Sequence, residues 1–270
     1  MTIAAFPTTP APSRRGPIGM ASGLWQAIAT TYRLGGRTPI VAPALLALVV
    51  LPEWVQHVAE IRLGMFTDLA GFRAHAADPV RMAFGVAKIA GMLVAMLAVA
   101  RYWALGSVRR ALMIRPATLL HLIVATAIGF ALAWPFAWAG RQGLPIAVNA
   151  PLQIVSFVLQ MIVMLYLAGV ALEDRSLTLR RLVTDLLPAA MVLTVLLALA
   201  FGPAQLLHMA THKLALGQPA AVVWALMTLD ALLVGVMAAL TGAALFVGCR
   251  SGLTWRGWTA SPAALARTAA

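Results

Sequence analysis

Of the 270 residues, 62% are hydrophobic and 10% are charged, whereas a soluble domain is about half apolar and about a quarter charged. The apolar residues come in long, nearly uncharged runs, which excludes an ordinary soluble fold and makes the bilayer their natural solvent. The formal net charge of +12 does not indicate a nucleic-acid partner, because the basic residues fall in short segments between those runs, where they orient helices and meet anionic lipid headgroups at the cytoplasmic face.

Lys88 and Lys213 are the only lysines among twenty basic residues. Together with abundant alanine, this composition suggests a high-GC bacterial genome and hence a bacterial inner membrane. Cys249 is the single cysteine, so the chain can form neither an intrachain disulfide nor a cysteine metal cluster.

The fold class expected is an all-α polytopic bundle of about six transmembrane helices with both termini cytoplasmic. Residues 1–20, with Pro7, Pro10, Pro12 and Pro17 among Thr and Ala, lack the apolar core of a signal peptide and read as a disordered cytoplasmic tail. Residues 22–34 then offer an interfacial helix. Ser22 is its N-cap, Leu24, Trp25, Ile28 and Tyr32 lie on one side, and Gly35-Gly36 is its stop.

A helix needs roughly 20 apolar residues to cross a hydrocarbon core. The first span, about 38–57, is interrupted by Pro39, Pro43 and Pro52 and closely followed by Glu53. From Glu53 to about His75 the pattern predicts one outer amphipathic helix (53–75). Trp54, Val58, Ile61, Met65, Leu69 and Phe72 occupy one arc, and Glu53, His57, Glu60, Gly64, Asp68, Gly71 and His75 the other. Asp78-Pro79 ends that helix before a second span at about 83–107.

The third and fourth spans, about 117–140 and 150–172, are separated by the turn residues Arg141, Gln142, Gly143 and Pro145. A second amphipathic approach, 177–183, leads into a fifth span at about 185–209. The sixth covers about 220–249, and 251–270 forms a cytoplasmic tail. Residues 21–250 thus make a single membrane domain.

Orientation follows from the basic residues of alternate connections. One side receives fourteen, including Arg14, Arg33, Arg109, Arg180 and Arg250. The other receives six, namely Arg62, Arg73, Arg81, Lys88, Arg141 and Lys213. The termini are therefore expected inside. Tryptophan favours both interfaces, and Trp25, Trp103, Trp255 and Trp258 fall near the inner boundary, while Trp54, Trp134, Trp138 and Trp224 fall near the outer one.

Among polar residues, Asp230 stands about ten residues into the sixth span, roughly 15 Å deep, where a bare carboxylate costs several kcal/mol. Lys88 lies roughly 9 Å deep in the second span by the same rise. The sequence therefore predicts an intramembrane Asp230–Lys88 pair, either a proton or substrate relay or a buried pin between helices. A protonated Asp230 bonded to a carbonyl is the competing arrangement.

His208 and His212, spaced i, i+4 at the outer end of the fifth span, can face one way. With Glu53, His57 and Glu60 they form a nitrogen and oxygen set suited to zinc or another divalent ion. The sequence favours the simpler reading of ordinary interfacial residues, because no single segment carries a complete ligand motif. Haem is excluded, since His121 lies near the inner end of the third span, far from the other histidines. Apart from a divalent metal, no cofactor is expected.

No G-x-S-x-G elbow, H-E-x-x-H helix or phosphate-binding loop is present, Ser156 has no histidine at matching depth, and no catalytic residue is assigned. Gly235, Ala239 and Ala243, with Ala238 and Gly242, form a small-residue stripe on the sixth span. It suits intrachain packing and a homodimer or larger membrane-protein complex equally. The plan of an approach helix followed by six spans resembles that of bacterial six-helix membrane proteins and of the membrane domains attached to some glycerophosphodiesterases, and no motif transfers an activity.

Nearly every polar residue has a topological explanation, so the sequence points first to a non-enzymatic envelope scaffold or assembly protein. A small transporter or permease subunit with a polar path at Asp230 and Lys88 is the alternative. A metal-dependent membrane enzyme using the outer His and Glu cluster comes third.

Overall fold

A computed structural model describes residues 17–172, 180 and 187–255. Among the described residues every regular element is a helix. They are α1 (Pro17–Val41), α2 (Pro43–Arg62), α3 (Leu69–His75), α4 (Pro79–Leu105), α5 (Val108–Leu112), α6 (Pro116–Arg141), α7 (Ile146–Ala171), α8 (Leu187–Ala215) and α9 (Ala220–Trp255).

Proline sets several of these starts. Pro17, Pro43, Pro79 and Pro116 each occupy the first helical position, where the missing N–H has no intrahelical partner to lose and the fixed φ already suits the helix. Among the described residues six helices are long and apolar enough to cross a membrane: α2, α4, α6, α7, the Ala190–Ala215 part of α8 and the Ala220–Arg250 part of α9. They correspond one for one to the six expected spans, as a multi-pass membrane protein requires.

Two expectations at the start of the chain fail. Gly35-Gly36 does not stop the first helix, and α1 runs through both to Val41. Gly35 is a packing notch, because a Cβ there would lie 2.6 Å from Leu240 Cδ2 and 2.9 Å from Leu240 Cα. The break comes instead at Ala42, whose φ of −146° lies outside the helical region, as expected for a residue preceding proline. The first span accordingly begins at Pro43 rather than near residue 38.

The outer helix expected over 53–75 is likewise not one helix. α2 ends at Arg62, and Gly64 takes φ +74°, a left-handed turn that glycine adopts without strain. α3 then begins afresh with Asp68 as its N-cap, the carboxylate accepting from Gly71 N at 2.7 Å. The two-faced pattern is real but turned inside out. Glu53, Gln56, His57 and Glu60 are buried, while Trp54 and Val55 are exposed. In lipid the polar face must turn inward, where protein can satisfy it.

Of the remaining boundaries, α8 continues past residue 209 to Ala215 and α9 past 249 to Trp255. Residues 17–20, expected in the tail, already belong to α1. The expected tails at 1–16 and 256–270 lie outside the described residues, as does the 177–183 approach, Arg180 apart.

The chain divides into two compact units. One comprises Thr31–Val99 and Leu197–Ala243. Its core holds Val49, Ala95, Ala204, Val234, Met237 and Ala238, so α2, α4, α8 and α9 all meet there. The small residues of α9 are used within the chain. A Cβ at Gly235 would sit 2.6 Å from Val50 Cγ2, and one at Gly242 2.6 Å from Val99 Cβ and 2.7 Å from the Met96 carbonyl oxygen.

Pro52 inside α2 leaves the Leu48 carbonyl without its helical donor. Gly91 of α4 comes against that same carbonyl, closer than any Cβ would allow. The approach suits a Cα–H to oxygen contact and explains how a proline-broken span packs without a gap.

The other unit includes Ala100–Leu196, in which α6 and α7 form an antiparallel pair and Gly129 admits Val163. Arg101, counted from sequence as one more topological charge, is 3% exposed. Its guanidinium donates to the carbonyls of Arg110 at 3.1 Å, Ala111 at 2.9 Å, Met113 at 2.9 Å and Ala171. It therefore closes the C-terminal ends of α5 and α7, whose last carbonyls have no intrahelical donor.

Candidate metal centre

Within the unit formed by Thr31–Val99 and Leu197–Ala243, four helices place polar side chains at one point. On α2, Glu53, Gln56, His57 and Glu60 recur at helical spacing and share a face. On α8, His208, Thr211 and His212 do the same. α9 supplies Asp230, and α4 supplies Arg81 and Lys88, two turns apart. Glu53, Glu60 and Asp230 are each 0% exposed and His57 is 1% exposed.

Asp230 is the hub. Its Oδ2 lies 2.7 Å from His208 Nδ1, 3.0 Å from His57 Nε2 and 3.4 Å from His212 Nε2. Its Oδ1 receives the Thr211 hydroxyl, which also lies 2.7 Å from the His208 carbonyl oxygen. Three imidazoles thus converge on one carboxylate oxygen. The rings stack around it, His208 and His212 at 4.8 Å between centroids and His57 and His212 at 5.2 Å. Phe66 covers His212 at 5.8 Å, as part of an apolar cap with Met65, Ala215, Val223 and Met227.

His57 is the second pivot. Its Nε2 faces Asp230 and also Glu53 Oε1 at 3.3 Å. Its Nδ1 meets Glu60 Oε2 at 2.9 Å. Glu60 is itself fixed by Gln56 Nε2 at 2.8 Å and Arg81 Nε at 2.9 Å, both on Oε1. Lys88 Nζ lies 3.2 Å from Glu53 Oε2.

Both nitrogens of His57 therefore face carboxylate oxygens. A neutral imidazole carries one N–H, so one of the two contacts needs either a second proton or a cation. The charges give the same answer. Three buried carboxylates face two fixed cations, Arg81 and Lys88, leaving one negative charge for a histidine proton or a metal ion to cover.

The donors fit a metal. Ligand atoms of Glu53, His57, His212 and Asp230 all lie within 4.8 Å of one another, and ligands at about 2.1 Å from a tetrahedral ion are roughly 3.4 Å apart. Closing the set requires only small side-chain movement. Two imidazoles and two carboxylates suit zinc, iron or manganese and lack the thiolates that copper(I) prefers.

Besides Gln56 Oε1, two buried atoms at this point have no hydrogen-bond partner, His212 Nε2 and Glu53 Oε2. Each nevertheless lies close to another member of the cluster, at 3.4 Å from Asp230 and 3.2 Å from Lys88 respectively. Each is held by an ion-pair contact and no hydrogen bond, which calls for an explanation in a folded protein. The Glu60–His57 contact matches the outer layer of many metal sites, where a carboxylate orients the ligating ring through its other nitrogen.

The structure sorts the residues singled out from sequence. The expected Asp230–Lys88 pair does not form. Lys88 pairs with Glu53, and Asp230 with three histidines and Thr211. Taken as the outer end of the first span, Glu53 lies out of reach of Lys88. α2 continues nine residues further to Arg62, about 13.5 Å, which carries Glu53 into the span and into the reach of Lys88.

Glu53, His57 and His212 stand in the four-residue set, joined by Asp230. Glu60 stands behind His57, and His208 contacts Asp230 from outside the set. His121 is exposed and bonds to the Ala117 carbonyl oxygen on its own helix. Gln56, Arg81 and Thr211 were missed. Gln56 and Thr211 each neighbour a candidate histidine, but only the turn after Arg62, which returns the chain through α3 to α4, brings Arg81 to Glu60.

Replacing Glu60 with glutamine is expected to weaken metal affinity about 10- to 100-fold while leaving one site per chain. Competition against a metallochromic chelator in detergent would measure it. Unchanged affinity would show that Glu60 serves only to hold Arg81.

No family model matches this chain, and neither do any curated protein or solved structure to which it was compared.

Proposed function

We propose that this is a multi-pass protein of a bacterial inner membrane, built around one divalent transition-metal ion of the zinc or iron class. The ion is held by Glu53, His57, His212 and Asp230, with His208 available as a fifth ligand. The observation that carries this reading is the meeting of the four ligand atoms within 4.8 Å inside a helix bundle, with a carboxylate on the far nitrogen of His57.

The arginine distribution supports cytoplasmic termini, which puts the centre in the outer half of the membrane. Trp54 and Trp224, both expected at the outer boundary, lie with ring centroids 6.3 Å apart. His208 and His212, 13% and 16% exposed, are the most accessible of the nitrogen donors around Asp230. A bound ion there would act as a Lewis acid toward a ligand arriving from that side. Lipid, including anionic headgroups at the cytoplasmic face, is the surrounding partner.

A second reading treats the cluster as a metal-free pin of an envelope scaffold. It is favoured by the hydrogen-bonded or ion-pair neighbours that every charged group in the cluster already has. The transport reading, with a polar path at Asp230 and Lys88, has less behind it, because Lys88 pairs with Glu53 and Asp230 with three histidines rather than with each other.

Chelation separates the first two readings. Ligand linkage at about 100 times Kd is worth about 2.7 kcal/mol, so removing the metal should lower Tm by roughly 5–10 °C, with recovery on adding zinc and not magnesium. A Tm indifferent to chelator and zinc alike would leave the metal-free pin.

A further inference from the structure

We infer that α7 is the seam of a homodimer in the membrane, joined through Gln153 and Gln160. Both side chains lie exposed within the membrane-spanning helix Ile146–Ala171. They are seven residues apart, two helical turns and about 10.5 Å along the axis, so they form one line on the helix surface.

Neither amide is satisfied within the chain. Gln153 Nε2 donates to Asn149 Oδ1 at 3.2 Å and to the Phe136 carbonyl oxygen at 3.3 Å, and Gln160 Nε2 donates to Ser156 Oγ at 3.0 Å. Among the described residues the carbonyl oxygens of both glutamines accept nothing. Around them, Ile154 and Phe157 are exposed apolar residues suited to lipid. Hydrocarbon offers no donor to an amide oxygen, so a further polar group has to meet this line.

The amide chemistry favours a second copy of this chain as the occupant. A primary amide carries both donor and acceptor and is therefore self-complementary. Two copies inserted with the same orientation, related by a twofold axis along the membrane normal, set Gln153 opposite Gln153 and Gln160 opposite Gln160. A seven-residue repeat keeps both on the seam of a left-handed crossing, and interhelical amides commonly join membrane helices. The small-residue stripe of α9, the other candidate dimer face, is already filled by Val50 and Val99 of the same chain.

The single native cysteine makes the test direct. In a Cys249→Ala background, Q153C and Q160C should each give a disulfide-linked species of twice the chain mass when membranes containing the full-length protein are oxidised. V158C, about 140° or more around the helix from both, should not. Light scattering in mild detergent should report a dimer for the wild type, and the Q153L/Q160L double variant should dissociate about tenfold more readily. A monomeric wild type with no cross-link, equal cross-linking at V158C, or a cross-linked product containing a different protein would each overturn the homodimer.

Discussion

Asp230→Asn is expected to abolish stoichiometric metal retention, and Asp230→Ala is expected in addition to cost about 3–5 kcal/mol of stability, the usual consequence of removing one partner from a buried charged pair. The asymmetry between the two follows from the contacts. Asparagine keeps the shape and an oxygen for the Thr211 hydroxyl, so the bundle holds together. It lacks the charge on which His57, His208 and His212 converge. Alanine removes both and leaves three ring nitrogens facing a void.

Affinity should fall by at least about 100-fold in the asparagine variant, the upper end of what losing an outer-layer partner costs. Isothermal titration with zinc on detergent-purified protein reads this directly, and helicity by circular dichroism controls for folding. If the asparagine variant bound zinc as the wild type does, Asp230 would be a packing residue and the ligand set would have to be redrawn around Glu53.

The second large effect lies in the other unit. Arg101→Lys should destabilise by about 3 kcal/mol, because each buried carbonyl left without a donor costs about 1–3 kcal/mol. A lysine ammonium presents three donors from one point, whereas the guanidinium spreads five over a planar fork. Only the fork can serve Arg110, Ala111, Met113 and Ala171 together. Thermal unfolding should show the loss while metal content stays at the wild-type level, since none of the four carbonyls belongs to the candidate site. An unchanged Tm would mean that water reaches those carbonyls and that Arg101 is a topological charge after all.

These two residues show what could be read from sequence and what could not. The number of spans and their approximate limits follow from length and polarity, which the bilayer constrains strongly. Asp230 was marked by the cost of a carboxylate at that depth, and His208, His212, Glu53, His57 and Glu60 by their helical spacing.

The place of Asp230 among them, and of Lys88 beside Glu53, was hidden by a misjudged boundary. Pro52 followed by Glu53 resembles the end of a span, yet the chain stays helical to Arg62, because a proline within a membrane helix is tolerated when neighbours accommodate the freed carbonyl. Gly91 does so at Leu48. Moving that boundary turns an outer acidic face into a buried one and gives Lys88 a nearer partner than Asp230.

Gly35 of α1 misled for a related reason, and Gly242 of α9 stayed ambiguous for the same one. Gly35 reads as a helix stop and Gly242 suits intrachain packing and a dimer face equally, but each is small because another helix passes close by, Leu240 in one case and Met96 with Val99 in the other. Such approaches depend on packing between segments distant in sequence, which no local pattern records. Arg101 was counted for its charge alone, because the carbonyls it serves lie up to 70 residues away.

Occupancy of Glu53, His57, His212 and Asp230 by a metal ion is open to direct measurement. Elemental analysis by inductively coupled plasma mass spectrometry, on protein purified from its membrane without chelators, tests it most directly. Close to one equivalent of zinc or iron per chain is expected in the wild type and a trace in Asp230→Asn. Absence of any stoichiometric transition metal, persisting after incubation with zinc or ferrous iron and removal of the excess, would contradict it.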